Sequence, residues 1–366
     1  MNSWQQTTWG EHCILRYGKA LRDYRDGNGA ARVFGTNGPV GWTTESLAHG
    51  PRPVIGRKGA YRGVHLANGP FWVIDTAYWL EPRTSLDPVW SYYNLLTVDI
   101  NGMDSGSAIP SLSRDQFVQL PLELPSIEEQ RRIAGVLGAL DDLIDTNRQL
   151  ASRLEDQASC LFASYRFDAE PDSTTMAFGD LVDVNPKIPK PTGDAPYVDM
   201  SALPTDSSRI SQVSIRPATG GARFQNGDAL LARITPCLEN GKVAFVDVLE
   251  DGEVAVGSTE FLVLRGRPRV GPHWPYLFTR SPRFRDYAIQ NMNGSSGRQR
   301  CSASAIVEYQ VAPPHQDDLA QFKAAAEPLF AAIGALGKEI ADLTRARGEL
   351  LPLLMSGRVR VREGVA

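Results

Sequence analysis

An internal repeat constrains the fold of this 366-residue chain more than any other feature of its sequence. Short segments of the first half recur in the same order in the second half, at an offset that drifts from roughly 170 to 193 residues. The matched segments are Trp9-Gly10 with Phe178-Gly179, Ile55–Lys58 with Leu231–Ile234, Thr76–Leu80 with Thr259–Val263, Trp90–Tyr93 with Trp274–Leu277, and Ser105-Gly106 with Ser296-Gly297. A collinear repeat predicts two copies of one structural unit, related by a pseudo-two-fold axis.

Each copy opens with a globular part that is rich in glycine and proline. Short aromatic or β-branched runs bounded by turn residues are typical of strands. The predicted strands include residues 71–74, 77–80, 242–246 and 261–264, and the predicted helices are residues 88–99 and 272–292. We therefore predict two α+β globular domains, at residues 1–125 and 169–314.

Each copy then closes with a long amphipathic helix, predicted at residues 126–168 and 315–366. The first begins with the capping-box pattern Ser126–Glu129, and apolar residues then recur every three or four positions, as in a coiled coil. The predicted seam of the two helices consists of Ile133, Leu140, Leu143, Asn147, Leu150, Leu154, Ile333, Leu336, Ile340, Leu343 and Arg347. Two such stripes in one chain are most simply buried against each other, as an antiparallel intramolecular coiled coil.

Two polar residues interrupt the predicted seam. Asn147 opposite the neighbourhood of Arg347 would fix the register of the pair, which is the usual reason for polar groups in such a seam. In the alternative, both side chains face solvent where the seam frays.

The composition excludes several classes of protein. The four cysteines lie far apart without a CxxC pair, and Met1–Gln6 lacks a basic-then-apolar leader, so we expect neither disulfides, nor structural zinc, nor secretion. No apolar run approaches the ~18 residues of a membrane helix. We therefore expect a cytoplasmic protein that does not enter a membrane.

The usual motifs of catalysis are missing. There is no phosphate loop, no GxGxxG, no lysine preceded by an acid at two residues' distance, and no HxxxH or HExxH spacing among the five histidines. Asn185–Ile188 lacks the second proline and the aromatic residue of the loop with which amino-methyltransferases hold a base. These absences favour a binding protein without metal or cofactor. Since catalytic residues need not be close in sequence, a DNA methyltransferase or nuclease with an unrecognised site stays the alternative.

The net charge of −4 conceals an uneven distribution. Residues 126–170 hold 9 acids against 5 bases, whereas the globular parts are neutral overall and carry arginine clusters at 52–62 and 265–300. Arginine suits phosphate oxygens and guanine edges, and aromatic residues and glutamine nearby suit stacking or adenine. The predicted DNA contacts are Lys19, Arg57, Lys58, Tyr61, Arg62, Arg233, Lys242, Arg298, Gln299 and Arg300. A solvated surface charge is the alternative for each arginine taken singly.

The run Pro121–Ala134, followed by Leu140–Ile144, closely resembles the central conserved region of type I restriction-modification specificity (S) subunits. Gly106–Ser113, Ile55–Gly59 and Leu231–Lys242 support the resemblance, which spans nearly the whole chain. The chain departs from the family pattern most where the second long helix begins, at residues 315–318.

The resemblance implies a non-catalytic subunit with two target-recognition domains, each reading one half of a split, asymmetric site in double-stranded DNA. It also implies two modification subunits docked on the antiparallel helices, which carry adenine-N6 methyltransferase chemistry with S-adenosylmethionine. ATP-dependent restriction subunits, which translocate and cut DNA, can join them. Methylation and cleavage would then belong to the partners. A structural adaptor with no nucleic-acid role is the remaining alternative.

Overall fold

The structure is a computed structural model that describes residues 4–25, 27–103, 110–171, 173–295 and 297–362. Part of the Gly106–Ser113 motif, and the repeat positions Ser105, Gly106 and Ser296, lie outside the described residues. The chain forms two compact units. The first unit comprises Met1–Ile144 with Asp342–Ala366, and the second comprises Asp145–Ala341.

The globular part of the first unit is built mainly from strands. These strands are β1 (Gln5–Thr8), β2 (Cys13–Tyr17), β3 (Ala31–Gly35), β4 (Gly38–Thr43), β5 (Ala48–His49), β6 (Arg52–Gly56), β7 (Val64–Ala67), β8 (Pro70–Val73), β9 (Ala77–Pro82) and β10 (Pro121–Leu124). Short helices α1 (Trp9–His12), α2 (Pro88–Leu95) and α3 (Arg114–Val118) complete it. Asp87 caps α2, because its carboxylate accepts hydrogen bonds from Val89 N and Trp90 N.

Two four-stranded sheets form in this unit. One is antiparallel with the order β2-β9-β6-β7, and the other has the order β4-β3-β8-β5 with β3 and β8 parallel. Strand β1 pairs with β10. Trp9, Tyr78, Trp90 and Phe117 are fully buried in the main core between these elements, because large aromatic side chains remove the most apolar area from water.

The second unit has a longer set of elements. Its strands are β11 (Met176–Ala177), β12 (Val182–Val184), β13 (Asp194–Val198), β14 (Ser214–Pro217), β15 (Ala222–Phe224), β16 (Asp228–Ala232), β17 (Val243–Phe245), β18 (Ala255–Gly257), β19 (Phe261–Gly266), β20 (Met292–Asn293), β21 (Arg300–Cys301) and β22 (Gln310–Val311). Its short helices are α5 (His273–Thr279), α6 (Pro282–Gln290) and α7 (Ala303–Glu308), with 3-10 turns at Phe178–Asp180 and Met200–Ala202. Trp274, Phe278 and Phe284 anchor its main core.

The topology of the second unit repeats that of the first. One sheet is antiparallel with the order β12-β19-β16-β17, and the other has the order β14-β13-β18-β15 with β13 and β18 parallel. Strand β11 pairs with β22, as β1 pairs with β10. The predicted internal repeat and the α+β class are thereby confirmed. The strand pattern follows from short β-branched and aromatic runs between turn residues.

Two long helices, α4 (Ile127–Ser164) and α8 (Gln316–Met355), each contribute to both units. In the first unit, Ile133 and Leu137 of α4 share a core with Leu354 of α8. In the second unit, Phe162 of α4 packs edge-on against Phe322 of α8, with ring centroids 5.7 Å apart. The start of α4 therefore lies beside the end of α8, and the end of α4 beside the start of α8. The helices run antiparallel, as predicted.

The predicted seam is wrong at two positions of α4. Leu143 and Leu150 are 41% and 45% exposed, whereas Ile144 and Glu155 are buried; the predicted seam residue Asn147 is also buried. Glu155 tolerates burial because its Oε1 accepts hydrogen bonds from Ser208 N at 2.8 Å and Ser208 Oγ at 2.5 Å. Contacts with the globular part thus turn α4 so that a neighbouring stripe is buried in place of the leucines.

The other predicted seam residues are buried to different degrees. Ile133 and Ile333 are buried, while Leu140, Leu154, Leu336, Ile340 and Leu343 are half-buried. Arg347 Nε lies 2.7 Å from Asp141 Oδ1, and the Tyr93 hydroxyl donates to Asp141 Oδ2 at 2.7 Å. The ionic partner of Arg347 is therefore Asp141, which the sequence pattern did not indicate.

Within the described ranges, none of the helices combines the length and the apolar character that a membrane span requires.

Candidate nucleic-acid interface

Arg57 and Arg233 occupy the same backbone position in the two units. Arg57 N donates to Thr76 O and its carbonyl accepts from Leu112 N, at 2.8 and 2.9 Å. Arg233 N donates to Glu260 O at 3.0 Å, and its carbonyl accepts from Cys301 N at 2.9 Å. Each arginine directly follows the first strand of a hairpin, which is β6 of β6–β7 for Arg57 and β16 of β16–β17 for Arg233. The fold thus fixes one basic position in each repeat.

In the first unit this position belongs to a cluster of bases and tyrosines. The Arg57 guanidinium lies 5.0 Å from the Tyr17 ring centroid and donates to Asp75 O at 3.2 Å. Lys58 Nζ lies 3.6 Å from Asp75 Oδ2. The Arg114 guanidinium lies 5.5 Å from the same Tyr17 ring. Tyr17 is thus an exposed aromatic side chain beside two guanidinium groups, a combination that suits phosphate and base contacts.

Two more predicted residues of this unit are exposed. Tyr61 is 78% exposed on the loop that follows Lys58. Lys19 is also exposed, and its carbonyl accepts a hydrogen bond from Trp72 Nε1 at 2.9 Å. Both side chains are therefore available to a ligand.

The prediction that Arg62 contacts DNA is wrong. Its side chain is only 3% exposed, and its Nη2 donates to the carbonyls of Ile100, Asn101 and Met103 at 3.0, 2.8 and 2.9 Å. A buried guanidinium needs such acceptors, since an unpaired buried charge is costly. Arg62 holds the Arg57–Arg62 loop in place.

In the second unit the cluster is organised around an acid. Glu260 accepts hydrogen bonds from Arg300 Nη2 at 2.7 Å and from Arg233 Nε at 3.2 Å. The hydrogen bonds from Arg300, and then those from Arg233, hold the pKa of the Glu260 carboxyl below its ordinary value of 4.5. Both side chains stay partly exposed, 30% for Arg233 and 41% for Arg300, although Arg300 Nη1 also donates to Arg298 O at 3.2 Å. Glu260 therefore presets their geometry.

The remaining predicted residues of this unit have different environments. Arg298 is exposed, and Gln299 is half-buried with its carbonyl accepting from Thr235 N at 3.1 Å. Lys242 is half-buried and its Nζ donates to Met200 O at 2.9 Å. The charge of Lys242 therefore already has a backbone partner.

The sequence cluster at 265–300 does not form one spatial cluster. Arg265 binds the fully buried Asp228 through Nε and Nη2, at 2.7 and 2.8 Å. Arg267 pairs with Asp183, and Arg283 Nη1 donates to Ala169 O at 2.7 Å. These side chains serve the fold at their own positions, because strands and helices carry neighbouring arginines to different sites.

Sequence reasoning missed Tyr17, Asp75 and Glu260. A signal was present for Glu260, since this acid directly precedes the predicted strand 261–264, as Thr76 precedes the predicted strand 77–80. Tyr17 and Arg57 are far apart in sequence, and only the pairing of β2 with β9 brings them together.

Fold and site together define a duplicated domain with one basic cluster at the same backbone position of each copy. A family model described as the type I restriction modification DNA specificity domain matches residues 54–156. The structure resembles the crystal structure of a type I restriction-modification S subunit from M. genitalium, with a TM-score of 0.65 and 17% identity over 96% of both chains. This likeness concerns the fold.

The chain is also similar in sequence to specificity subunits of type I restriction enzymes. The EcoprrI specificity subunit of Escherichia coli is 32% identical over 114 residues, which cover 31% of this chain and 28% of that relative. The MjaIX specificity subunit of Methanocaldococcus jannaschii is 24% identical over 290 residues, which cover 72% of this chain and 66% of that relative. Both relatives are specificity subunits of type I restriction enzymes, and this chain is similar to them over those residues.

Proposed function

We propose that this chain is the DNA-recognition subunit of a type I restriction-modification complex and reads a bipartite, asymmetric target in double-stranded DNA. One observation carries the proposal. Two units with the same sheet order hold a basic cluster at the same backbone position, yet the side chains around Arg57 and Arg233 differ. A shared frame with different side chains suits two different half-sites.

The chemistry of the clusters fits this role. Phosphate contacts orient a protein on DNA, whereas side chains that reach base edges select the sequence. The exposed Lys58 supplies a point charge for phosphate, and the preset guanidinium planes of Arg233 and Arg300 suit the O6 and N7 of guanine. Tyr61 and Gln299 add side chains for stacking and for adenine edges.

The long helices are the proposed docking elements for partner proteins. Leu143 and Leu150 of α4 are exposed, seven residues apart on one helix. Exposed leucines at heptad spacing are typical of a helix that packs against a further helix. We propose that two modification subunits bind the helices and carry out methylation, and that restriction subunits join them for cleavage. The chain itself is then non-catalytic.

The clusters are tested one at a time with the double variants Arg57→Ala with Lys58→Ala and Arg233→Ala with Arg300→Ala. Binding of the full chain to duplex DNA is measured by fluorescence anisotropy over a series of salt concentrations. Binding weakens as salt rises, so the slope of log K against log salt is negative. Each phosphate contact that is lost reduces the steepness of this slope by about 0.9. Each double variant should therefore bind more weakly and with a smaller slope.

The control is Arg345→Ala, because Arg345 is 69% exposed on α8 and pairs with Asp342 on the same helix. Its salt dependence should equal that of the parent chain. The methylated motif of the assembled complex then adds the half-site readout. Each double variant should relax one half of the motif, and an equal relaxation of both halves by either variant would refute the assignment of one half-site to each unit.

A further inference from the structure

In each unit, a contact between an arginine and an aromatic ring joins the edge strand of one sheet to the strand beside it. In the second unit, the guanidinium of Arg216 on β14 lies 4.2 Å from the ring centroid of Tyr197 on β13. In the first unit, the guanidinium of Arg32 on β3 lies 4.4 Å from the ring of Trp42 on β4. Strands β4 and β14 are the edge strands of the topologically equivalent sheets β4-β3-β8-β5 and β14-β13-β18-β15.

The arginine and the aromatic ring exchange strands between the two units. The arginine lies on the inner strand and the aromatic ring on the edge strand in the first unit, and the reverse holds in the second unit. The arrangement therefore recurs although the residues at the individual positions differ. Trp42 is 41% exposed, and the side chain of Arg216 is 51% exposed with Asp199 Oδ2 at 3.9 Å.

In the second unit, a continuous surface joins the stacked pair to the basic cluster. One recess is lined by Tyr197, Arg216, Gly221 and Thr259, and a neighbouring recess shares Gly221 and Thr259 and reaches Arg233. Gly221 has φ +116°, and a Cβ there would lie 2.1 Å from Gly257 O. Close packing against Gly257 and the positive φ therefore require glycine at a position that lines both recesses.

In the first unit, the segment after β2 makes the corresponding connection. Tyr17 ends β2 beside Arg57, Lys19 N donates to Val73 O at 2.8 Å, and Trp42 N donates to Tyr24 O at 3.0 Å. The chain therefore runs from the basic cluster to the stacked pair.

We propose that Arg216 on Tyr197 is a DNA contact of the second unit and that Arg32 on Trp42 is its counterpart in the first, so that each interface extends from the basic cluster to the edge strand. This proposal rests on the proposed DNA-recognition function. A guanidinium that is held over a ring can offer its edge donors to a phosphate or a guanine, and the ring contact reduces the rotamer freedom that binding would otherwise remove. Duplex DNA fits because both recesses are bordered by arginines, including Arg223.

The test uses the full chain and duplex DNA of random sequence, with anisotropy measured over a salt series. Arg216→Ala should weaken binding about threefold to tenfold and lower the salt slope by about 0.9. Arg216→Lys should retain the slope because it retains the charge. Tyr197→Leu should weaken binding with an unchanged slope, because only the orientation of the guanidinium is lost.

Arg267→Ala is the matched control, since Arg267 belongs to the same unit, is 46% exposed and is paired with Asp183. Circular dichroism and thermal midpoints confirm that each variant folds. If Arg216→Ala binds like Arg267→Ala while Arg233→Ala weakens binding, the extension to the edge strand is wrong and the proposed function stands. If the parent chain shows no salt-dependent binding, both are wrong.

Discussion

The loops that follow β6 and β16 occupy the same place in the two repeats but are stabilised by different contacts. In the first unit, the buried guanidinium of Arg62 binds three backbone carbonyls between Ile100 and Met103. In the second unit, the loop closes on itself, with Leu238 N donating to Ile234 O and Lys242 N to Cys237 O at 3.0 Å each, and Leu238 is buried. The loop can thus be stabilised by different contacts in the two repeats while its backbone position is kept.

The electrostatics of the two clusters differ in the same way. Lys58 and Asp75 form an exposed pair at 3.6 Å, which solvent screens. Glu260 fixes two arginines at 2.7 and 3.2 Å and is itself mostly shielded. The first cluster is therefore adaptable, whereas the second is held in one geometry before a ligand binds.

The largest effect is expected for Arg62→Ala. Three carbonyls lose a charged donor in a buried place, so the free energy of unfolding should fall by about 3 kcal/mol. Amide hydrogen exchange should accelerate in the loop at residues 57–63 and remain slow in the loop at residues 233–242. Urea unfolding with exchange measured by mass spectrometry checks both. Arg16→Ala, which removes an exposed arginine of the same unit that pairs with Glu81, should cost less than about 1 kcal/mol. Equal losses of unfolding free energy for the two variants would refute the role of Arg62 in holding this loop.

The stability of the two cores should depend differently on pH. His273 lies stacked on Phe330, with ring centroids 4.3 Å apart, and burial, with a contribution from Lys323, lowers its pKa from 6.5 to about 4. As the pH falls from 6.5 towards 4, the unfolded histidine gains a proton that the folded one does not bind. The free energy of unfolding of the second unit should therefore fall by on the order of 3 kcal/mol over this pH window. Below pH 4 His273 should cause no further loss.

His273→Phe should remove that loss while keeping the ring stack. The repeat position in α2 of the first unit is Val89, which does not titrate. Thermal unfolding of parent and variant at pH 7, 5.5 and 4 measures the difference. A parallel decline of both proteins over this range would show that His273 does not cause the acid sensitivity.

Glu260→Gln should separate affinity from specificity. Losing the carboxylate frees Arg233 and Arg300, so discrimination by the second half-site should fall about tenfold, as expected for one lost bidentate contact. Binding to random duplex DNA should rise, because a negative charge is removed. Competition between duplexes with intact and altered half-sites provides the measurement. Tighter binding with unchanged discrimination would contradict a presetting role for Glu260.

The smallest effect is expected for Asp75→Asn. Its ion pair with Lys58 is exposed, so stability should change by less than about 1 kcal/mol. Discrimination at the first half-site should stay within about twofold of the parent chain, in contrast to Glu260→Gln. The same competition assay applies, and a loss of discrimination as large as that of Glu260→Gln would remove the difference between the two clusters.

The repeat and the strands were predictable because both are local patterns. The predicted runs 77–80 and 261–264 correspond to β9 (Ala77–Pro82) and β19 (Phe261–Gly266). The predicted helix 272–292 consists of two, α5 and α6, because Ser281 caps the second through a hydrogen bond from Phe284 N to its Oγ.

The predictions were wrong where contacts with residues distant in sequence determine which side chains are buried. Helix α4 carries two candidate stripes, and the leucines favoured the stripe through Leu143 and Leu150. The buried stripe includes Glu155 instead, because Ser208 supplies the hydrogen bonds that make its burial possible. Arg62 was assigned to the surface for the same reason, since its carbonyl partners lie 38 to 41 residues further along the chain.

We infer that each unit reads its own half of the target. The most direct test replaces residues 169–314 with the corresponding segment of a relative and determines the methylated motif of the assembled complex by methylation-sensitive sequencing. If each unit reads its own half-site, one half of the motif changes to that of the relative while the other half stays as in the parent. A motif in which both halves change, or in which neither does, would refute this inference.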